Sequence, residues 1–330
     1  MNGSIALTGL IAGSAVLGAL LGLVAYVTLL ERKFAARMQS RIGPYRVGPH
    51  GLLQPIADAV KLMMKEDVVP TLADRPVYNL APIVFLIPCM LIFATMPFAP
   101  GLGVADLNIG ILFFLAVSAM EIVGLFMAGW GSNNKYALLS AMRAVNQIIS
   151  YDLPFIFVAL VPVVLAGSLR LSDIAQAQTG FFGAFIFYPV VGQLAFIAYI
   201  VTTLAAENRV PFDILEAESE LVAGFRVEYS GMKFALIQLG EYAHAIGTSF
   251  LGALLFLGAW SGPGPAWLGP LWFLLKAMAV FLLITWVRWS FVRIRVDQIL
   301  AISWKLMLPA SLLLLMATAA WVGWRSAGGA

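Results

Sequence analysis

The chain is 330 residues long, 61% hydrophobic and only 11% charged, with a formal net charge of +3. Soluble domains carry roughly 25% charged residues, so this composition excludes an ordinary water-soluble enzyme and points to an all-α polytopic membrane protein. A single cysteine, Cys89, and two histidines, His50 and His244, leave no disulfide framework and no thiolate cluster for iron–sulfur or zinc, and they argue against a bis-histidine haem. Redox chemistry would therefore use a mobile cofactor or the centres of a partner, and no nucleic-acid signature is present.

Crossing a bilayer takes about 20 apolar residues. Eight such runs are predicted, over about residues 5–30, 78–98, 108–130, 144–167, 182–205, 234–258, 271–291 and 306–323, and residues 1–330 read as one membrane domain. The first run lacks a basic start and a small-residue cleavage site, so it reads as a true span. Loop 1, from Glu31 to Val77, is the longest connection. Gly43, Pro44, Gly48, Pro49 and Gly51 give it turns, and residues 54–66 read as a helix with Pro55 in its first turn. The stripe of Ile56, Val60 and Met63 stands apart from Asp58, Lys61 and Lys65, which fits a helix lying in the membrane interface or one packed on protein. Seventeen of the 20 Lys and Arg fall in loops 1, 3, 5 and 7 or at the adjoining span ends. That asymmetry predicts those loops on the cytoplasmic side and both termini outside. Lys276, inside span 7, reads as snorkelling to the outer surface.

Loop 5 holds the densest charge. From Glu207 to Glu228 it carries Glu207, Asp213, Glu216, Glu218, Glu220 and Glu228 against Arg209 and Arg226. A helix after Pro211 would place Asp213, Glu216 and Glu220 on one face, and confinement would raise some of these carboxyls toward neutrality. Phe212, Ile214, Leu215, Leu221, Val222 and Phe225 lie among the acids and favour partial burial over a solvated acidic loop. Three more acids, Glu121, Asp152 and Glu241, fall inside spans. Each costs on the order of a few kcal/mol at bilayer depth unless paired, protonated or hydrated, so each is a candidate proton relay. The plainer alternative is a structural pair, such as Arg143 serving Asp152. Lys135, Tyr136, Arg143, Asn146, Gln147 and Ser150 could hydrate an approach to span 4. His244, close to Glu241, reads as a hydrogen-bonded core residue. A proton-coupled redox subunit, an independent ion/proton antiporter and an anchor for a peripheral redox arm all remain open on these residues alone.

The segment ERKFAARMQSRIGPYRVGPHGLLQPIADAVKLMMKED (Glu31 to Asp67) resembles the first loop of the membrane-embedded H subunit of respiratory complex I, the NADH–quinone oxidoreductase; mitochondrial subunit 1 is its counterpart. Further resemblance lies in AGWGSNNKYALLSAMRAVNQIISYD (Ala128 to Asp152), NRVPFDILEAESELVAGFRVEYSGMKFALIQLGEY (Asn208 to Tyr242) and RIRVDQILAISWKLMLP (Arg293 to Pro309), so it runs in order along nearly the whole chain. The resemblance implies eight transmembrane helices, with helices 2 to 6 similar to half of an antiporter fold, at the heel of an L-shaped complex. It implies a narrow quinone chamber, with ubiquinone or menaquinone as substrate. The headgroup would be reduced at hydrophilic-arm subunits beside the terminal iron–sulfur cluster. FMN and iron–sulfur clusters would sit on partners, with no metal or flavin bound here and no complete catalytic site in this chain alone. The other implied partners are small membrane subunits, antiporter-like subunits and the lipid bilayer of an energy-transducing membrane, such as the bacterial inner membrane.

Carried onto this sequence, the resemblance assigns Glu31, Arg32, Arg41, Phe225 and Arg226 to the quinone chamber. It assigns Asp213, Glu216, Glu218, Glu220 and Glu228 to an acidic coupling loop, and Asp152, Glu207 and Glu241 to a proton relay. Asp152 stands where the family usually has glutamate. Glu207 stands one residue later than in the family's usual order, about 100° around a helix. Glu121 joins the relay on burial alone. Related subunits occur in membrane-bound hydrogenases, and the extended loop 1 motif favours the quinone enzyme.

Overall fold

The computed structural model describes residues 2–180, 183–215 and 218–327, and every named element among them is helical. In order these are α1 (Asn2–Met38), α2 (Gln54–Met64), α3 (Arg75–Leu91), α4 (Gly110–Ala119), α5 (Glu121–Gly131), α6 (Lys135–Ala166) and α7 (Leu171–Ala177). Then follow α8 (Val191–Ala206), α9 (Glu218–Leu221), α10 (Gly231–Phe256), α11 (Gly269–Ser290), α12 (Val296–Ile302) and α13 (Leu308–Ala327). Five stretches among the described residues are long and apolar enough to cross a membrane: Arg75–Thr95, Gly110–Gly131, Lys135–Ala166, Gly269–Ser290 and Val296–Ser326. The helix α8 is a shorter apolar one.

The apolar runs locate the helices, but local chemistry sets their ends. α1 continues well past residue 30, so Glu31 and Arg32 are helical rather than in a loop. α6 begins at Lys135, because the Asn134 side chain accepts a hydrogen bond from the Tyr136 N–H at 2.9 Å and caps the first turn. Lys135, Tyr136 and Arg143 therefore lie on a helix. α8 starts later than the apolar run: Pro189 cannot donate to a helix interior, and Val190 lies at φ 66°. Residues 181–182 of that run lie outside the described residues. The run 108–130 is bent at Met120, where the Ser118 hydroxyl bonds back to Leu115 O at 3.0 Å. Glu121 opens the second half. α12 passes through a π-helical turn, Ser303–Met307, into α13.

α10 runs through the middle of the packing, with α3 on one side and α11 on the other. α3 and α5 cross closely at Gly124, where a Cβ would stand 2.4 Å from the Phe85 backbone nitrogen. Aromatic contacts fill the space between the C-terminal half of α10, α11 and the turn after α3: the Phe250 ring lies 5.0 Å from Phe273 and 5.8 Å from Phe98. Lys276 reaches the turn that follows α10. Its ammonium donates to Ser261 O at 2.5 Å and Gly258 O at 3.4 Å, because the turn after α10 leaves carbonyls with no helical partner. α2 keeps Ile56, Val60 and Met63 exposed, and Arg32 ties it to α1 through a 2.5 Å contact with Asp58.

Candidate functional site

The acidic loop is folded onto α6 rather than coiled into a helix. Ser140 Oγ on α6 donates to Leu215 O, and Gln147 Nε2 donates to Phe212 O, both at 2.8 Å. With those carbonyls engaged by side chains, the described residues after Pro211 form turns, α-helix is limited to Glu218–Leu221, and a single 3-10 turn follows at Gly224–Arg226. The expected helical face shared by Asp213 and Glu220 is thus absent, while Glu216 lies outside the described residues. Glu218 opens α9. Phe212, Ile214, Leu215, Leu221 and Phe225 are buried, and Val222 is exposed. The chain returns through Gly224 at φ 62°, where a Cβ would meet Leu215 O at 2.2 Å.

The loop's charges are met from other elements. Arg143 Nη1 donates to Glu220 Oε2 at 2.7 Å, and Arg293 stands 3.9 Å from the other oxygen. The Arg143 hydrogen bond holds the Glu220 carboxyl below its ordinary range, so the expected rise is reversed at this residue. Arg143 serves Glu220 and not Asp152. Glu228 accepts from Asn134 Nδ2 at 2.7 Å. Asp213 is half-buried and within electrostatic reach of Arg288. The C-terminal end of the loop is pinned by Tyr78 and Tyr229, whose rings stack at 4.3 Å. Tyr78 donates to Glu228 O, and Tyr229 donates to Tyr78 O.

Beneath the loop, the ends of α1 and α8 meet α10 and α11. Glu31 accepts from Arg288 Nη1 at 2.6 Å, with Arg209 Nη1 3.8 Å from its second oxygen. Arg209 Nε stands 3.2 Å from Glu207, which also accepts from Thr248 Oγ1 at 2.5 Å. The Arg209 guanidinium lies over the rings of Tyr242 and Phe281, 5.5 and 5.3 Å from their centroids. Arg226, at the loop's far end, donates to Glu241 Oε2 on α10 at 2.7 Å. Glu207, Arg209, Arg226, Glu241 and Arg288, with Gln238, Tyr242, Glu121 and His244, line a cavity of about 170 Å³, and Glu31 reaches it through Arg209 and Arg288. Glu31, Glu207 and Arg209 each keep one buried polar atom without a hydrogen bond among the described residues. Buried ions of this kind persist only when their charges offset one another, and such leftover valences suit water or a transient charge.

Glu121 Oε2 stands 3.6 Å from His244 Nδ1 and accepts from Cys89 Sγ at 3.4 Å. Behind that pair a second, enclosed cavity of about 10 Å³ is lined by Asp152, Ser118 and Thr248. No group of three or more metal-ligating side chains occurs among the described residues.

A family model described as NADH dehydrogenase matches residues 11–319. The chain belongs to the NADH dehydrogenase family. It is 49% identical over 291 residues to a protein of Dehalococcoides mccartyi, covering 88% of this chain and 80% of that one. It is 45% identical over 315 residues to one from Geobacillus kaustophilus, covering 94% and 93% of the two chains. With one from Polaromonas naphthalenivorans the identity is 44% over 319 residues, covering 93% and 89%. All three relatives are named as the H subunit of NADH-quinone oxidoreductase.

Within this member of the family, the sequence-derived candidates divide. Glu31, Glu207, Glu121, Glu241 and Arg226 converge on the larger cavity or its contacts, and Asp152 lies beyond. Phe225 packs beside Phe85, ring centroids 6.5 Å apart. Arg32 and Arg41 lie elsewhere: both are exposed, and Arg41 donates to Gln39 at 2.7 Å. Sequence reasoning did not single out Arg288, Tyr242, Gln238 or Thr248 for the site. Their signal was weak, since each is an isolated polar residue in an apolar helix. Arg288 in ITWVRWS was legible only as a cytoplasmic-side charge.

Proposed function

We propose that this chain is the H subunit of an NADH–quinone oxidoreductase, crossing the membrane eight times with both termini on the outer side. It forms part of the quinone-access chamber and couples quinone reduction to proton translocation. Partner subunits of the hydrophilic arm bring the flavin, the iron–sulfur clusters and the headgroup site. In bacteria the complex occupies the inner membrane. Relatives named as quinone oxidoreductase subunits support this reading, and the observation that carries it here is a cavity where Glu207 and Glu241, with Glu31 beside them, face Arg209, Arg226 and Arg288.

Reducing a quinone draws protons together with electrons, so charge changes beside the chamber must be met by protein groups. Arg226 is the pivot, because it belongs to the acidic loop yet holds Glu241 on α10. A new negative charge above the loop competes with Glu241 for that guanidinium. Glu241, once released, has reason to take a proton, and the Glu207–Arg209–Glu31 group redistributes in turn. Arg32 and Arg41, exposed beside α2, steer the substrate at the chamber mouth.

The test is purification of the tagged chain under mild conditions from its native membrane. Iron, flavin and inhibitor-sensitive NADH–quinone reduction in one large particle are expected. Iron with hydrogenase activity would reassign the chain to a related hydrogenase. A small, intact, metal-free particle that transports ions in liposomes would replace the proposal with an antiporter.

A further inference from the structure

The two cavities have only Glu121 and His244 in common among the described residues that line them. Both side chains are buried, at 6% exposure each. Glu121 comes from α5, immediately after the bend at Met120, and His244 from α10. On one side lie Glu207, Glu241, Arg209, Arg226 and Arg288. On the other side lies Asp152, in a space of about 10 Å³, on the order of one water. The pair therefore stands between the cluster of carboxylates and arginines and the single acid Asp152. It is made of the two side chains best suited to carry a proton through it.

We propose that Glu121 and His244 form a proton gate between these cavities, and that the imidazole is itself a carrier. The inference rests on the coupling reading above and deepens it. Glu121 hands its proton to Nδ1, leaving a carboxylate beside an imidazolium. The imidazolium then releases the proton on Nε2 to water or the Asp152 carboxylate in the second cavity, and exchange of the Nδ1 proton through water restores the first tautomer. No electron moves, and one proton passes. At 3.6 Å the contact is longer than a hydrogen bond, so transfer takes a small side-chain swing or one bridging water. The charged and titratable groups around the ring are Glu121 from α5, Cys89 bonded to it from α3, Glu207 and Arg209 after α8, Asp152 from α6 and Glu241 on α10 itself.

The test compares wild type, His244→Gln and Glu241→Gln in the purified complex. NADH-driven proton translocation and uncoupled NADH–quinone reduction are both measured across pH. Gln is polar and close to His in size, and can donate a hydrogen bond, but cannot titrate. His244→Gln is expected to assemble, to lose at least about tenfold in translocation, and to lose one ionisation from its pH profile. Wild-type translocation and pH profile in His244→Gln, with translocation abolished in Glu241→Gln, would overturn the gate and leave the coupling reading intact. Wild-type behaviour in both variants would overturn the coupling reading itself. His244→Asn repeats the comparison if Gln blocks assembly. Failure of both to assemble would assign His244 a structural role and overturn the gate.

Discussion

Two arginine–carboxylate contacts beside one another on α1 show how burial decides what an ion pair is for. Glu31 is 3% exposed and serves both Arg288 and Arg209. Arg32, next in sequence, pairs with Asp58 in the open. Removing one partner of a buried pair strands the other, at about 3–5 kcal/mol, whereas an exposed pair is worth about 0–1 kcal/mol. Glu31→Gln should therefore lower the thermal midpoint of the assembled complex clearly, and Arg32→Ala should leave it almost unmoved. Glu220 makes a pH prediction at the same scale. Its carboxyl is held below the ordinary value of 4.5 by Arg143. A carboxyl depressed in the folded state contributes stability above its unfolded value, and that contribution is lost as pH falls through the folded one. The acidic loop should loosen only below about pH 4.5, and Arg143→Gln should shift that loosening to higher pH. A fluorophore on Val222→Cys, an exposed position, reports it; Cys89 is buried and stays unlabelled. Most of the titrating residues were legible as acids in apolar runs. Their partners were not, because Arg288 and Thr248 are ordinary residues until tertiary contacts bring them to Glu31 and Glu207.

At the scale of elements, hydrophobic run length located the helices, and capping and turn residues moved their ends. Asn134 and Pro189 are local signals that explain the start of α6 and the late start of α8. The break from helix just after Pro211 had no local signal at all. The loop's carbonyls are claimed by Ser140 and Gln147, 75 and 65 residues earlier in the chain. Gly224 is the hinge of that arrangement. Gly224→Ala places a side chain at φ 62° against Leu215 O, a strain of about 1–3 kcal/mol. It should displace the loop from α6 and lower quinone reduction by the intact complex. Gly18→Ala, with nothing within 4 Å of its Cβ, is the matched control and should be silent.

For the whole molecule, long motifs in loops 1, 3 and 5 made the family legible from sequence, and the match over residues 11–319 agrees. The cavity was not legible as a cavity. Its walls come from α3, α5, the end of α8, the acidic loop, α10 and α11, and nothing in the chain's order announces that Glu31 and Arg288, beside it, touch. Once assembled, the arrangement joins the acidic loop to the carboxylates on α1 and α10 through Arg209 to Glu31 and Arg226 to Glu241. The most direct test is NADH-driven proton translocation by complexes carrying Glu207→Gln, with assembly and flavin content verified. Coupling through this cavity predicts that translocation falls at least about tenfold while the complex stays intact. Translocation at the wild-type rate and stoichiometry in an intact Glu207→Gln complex would contradict it.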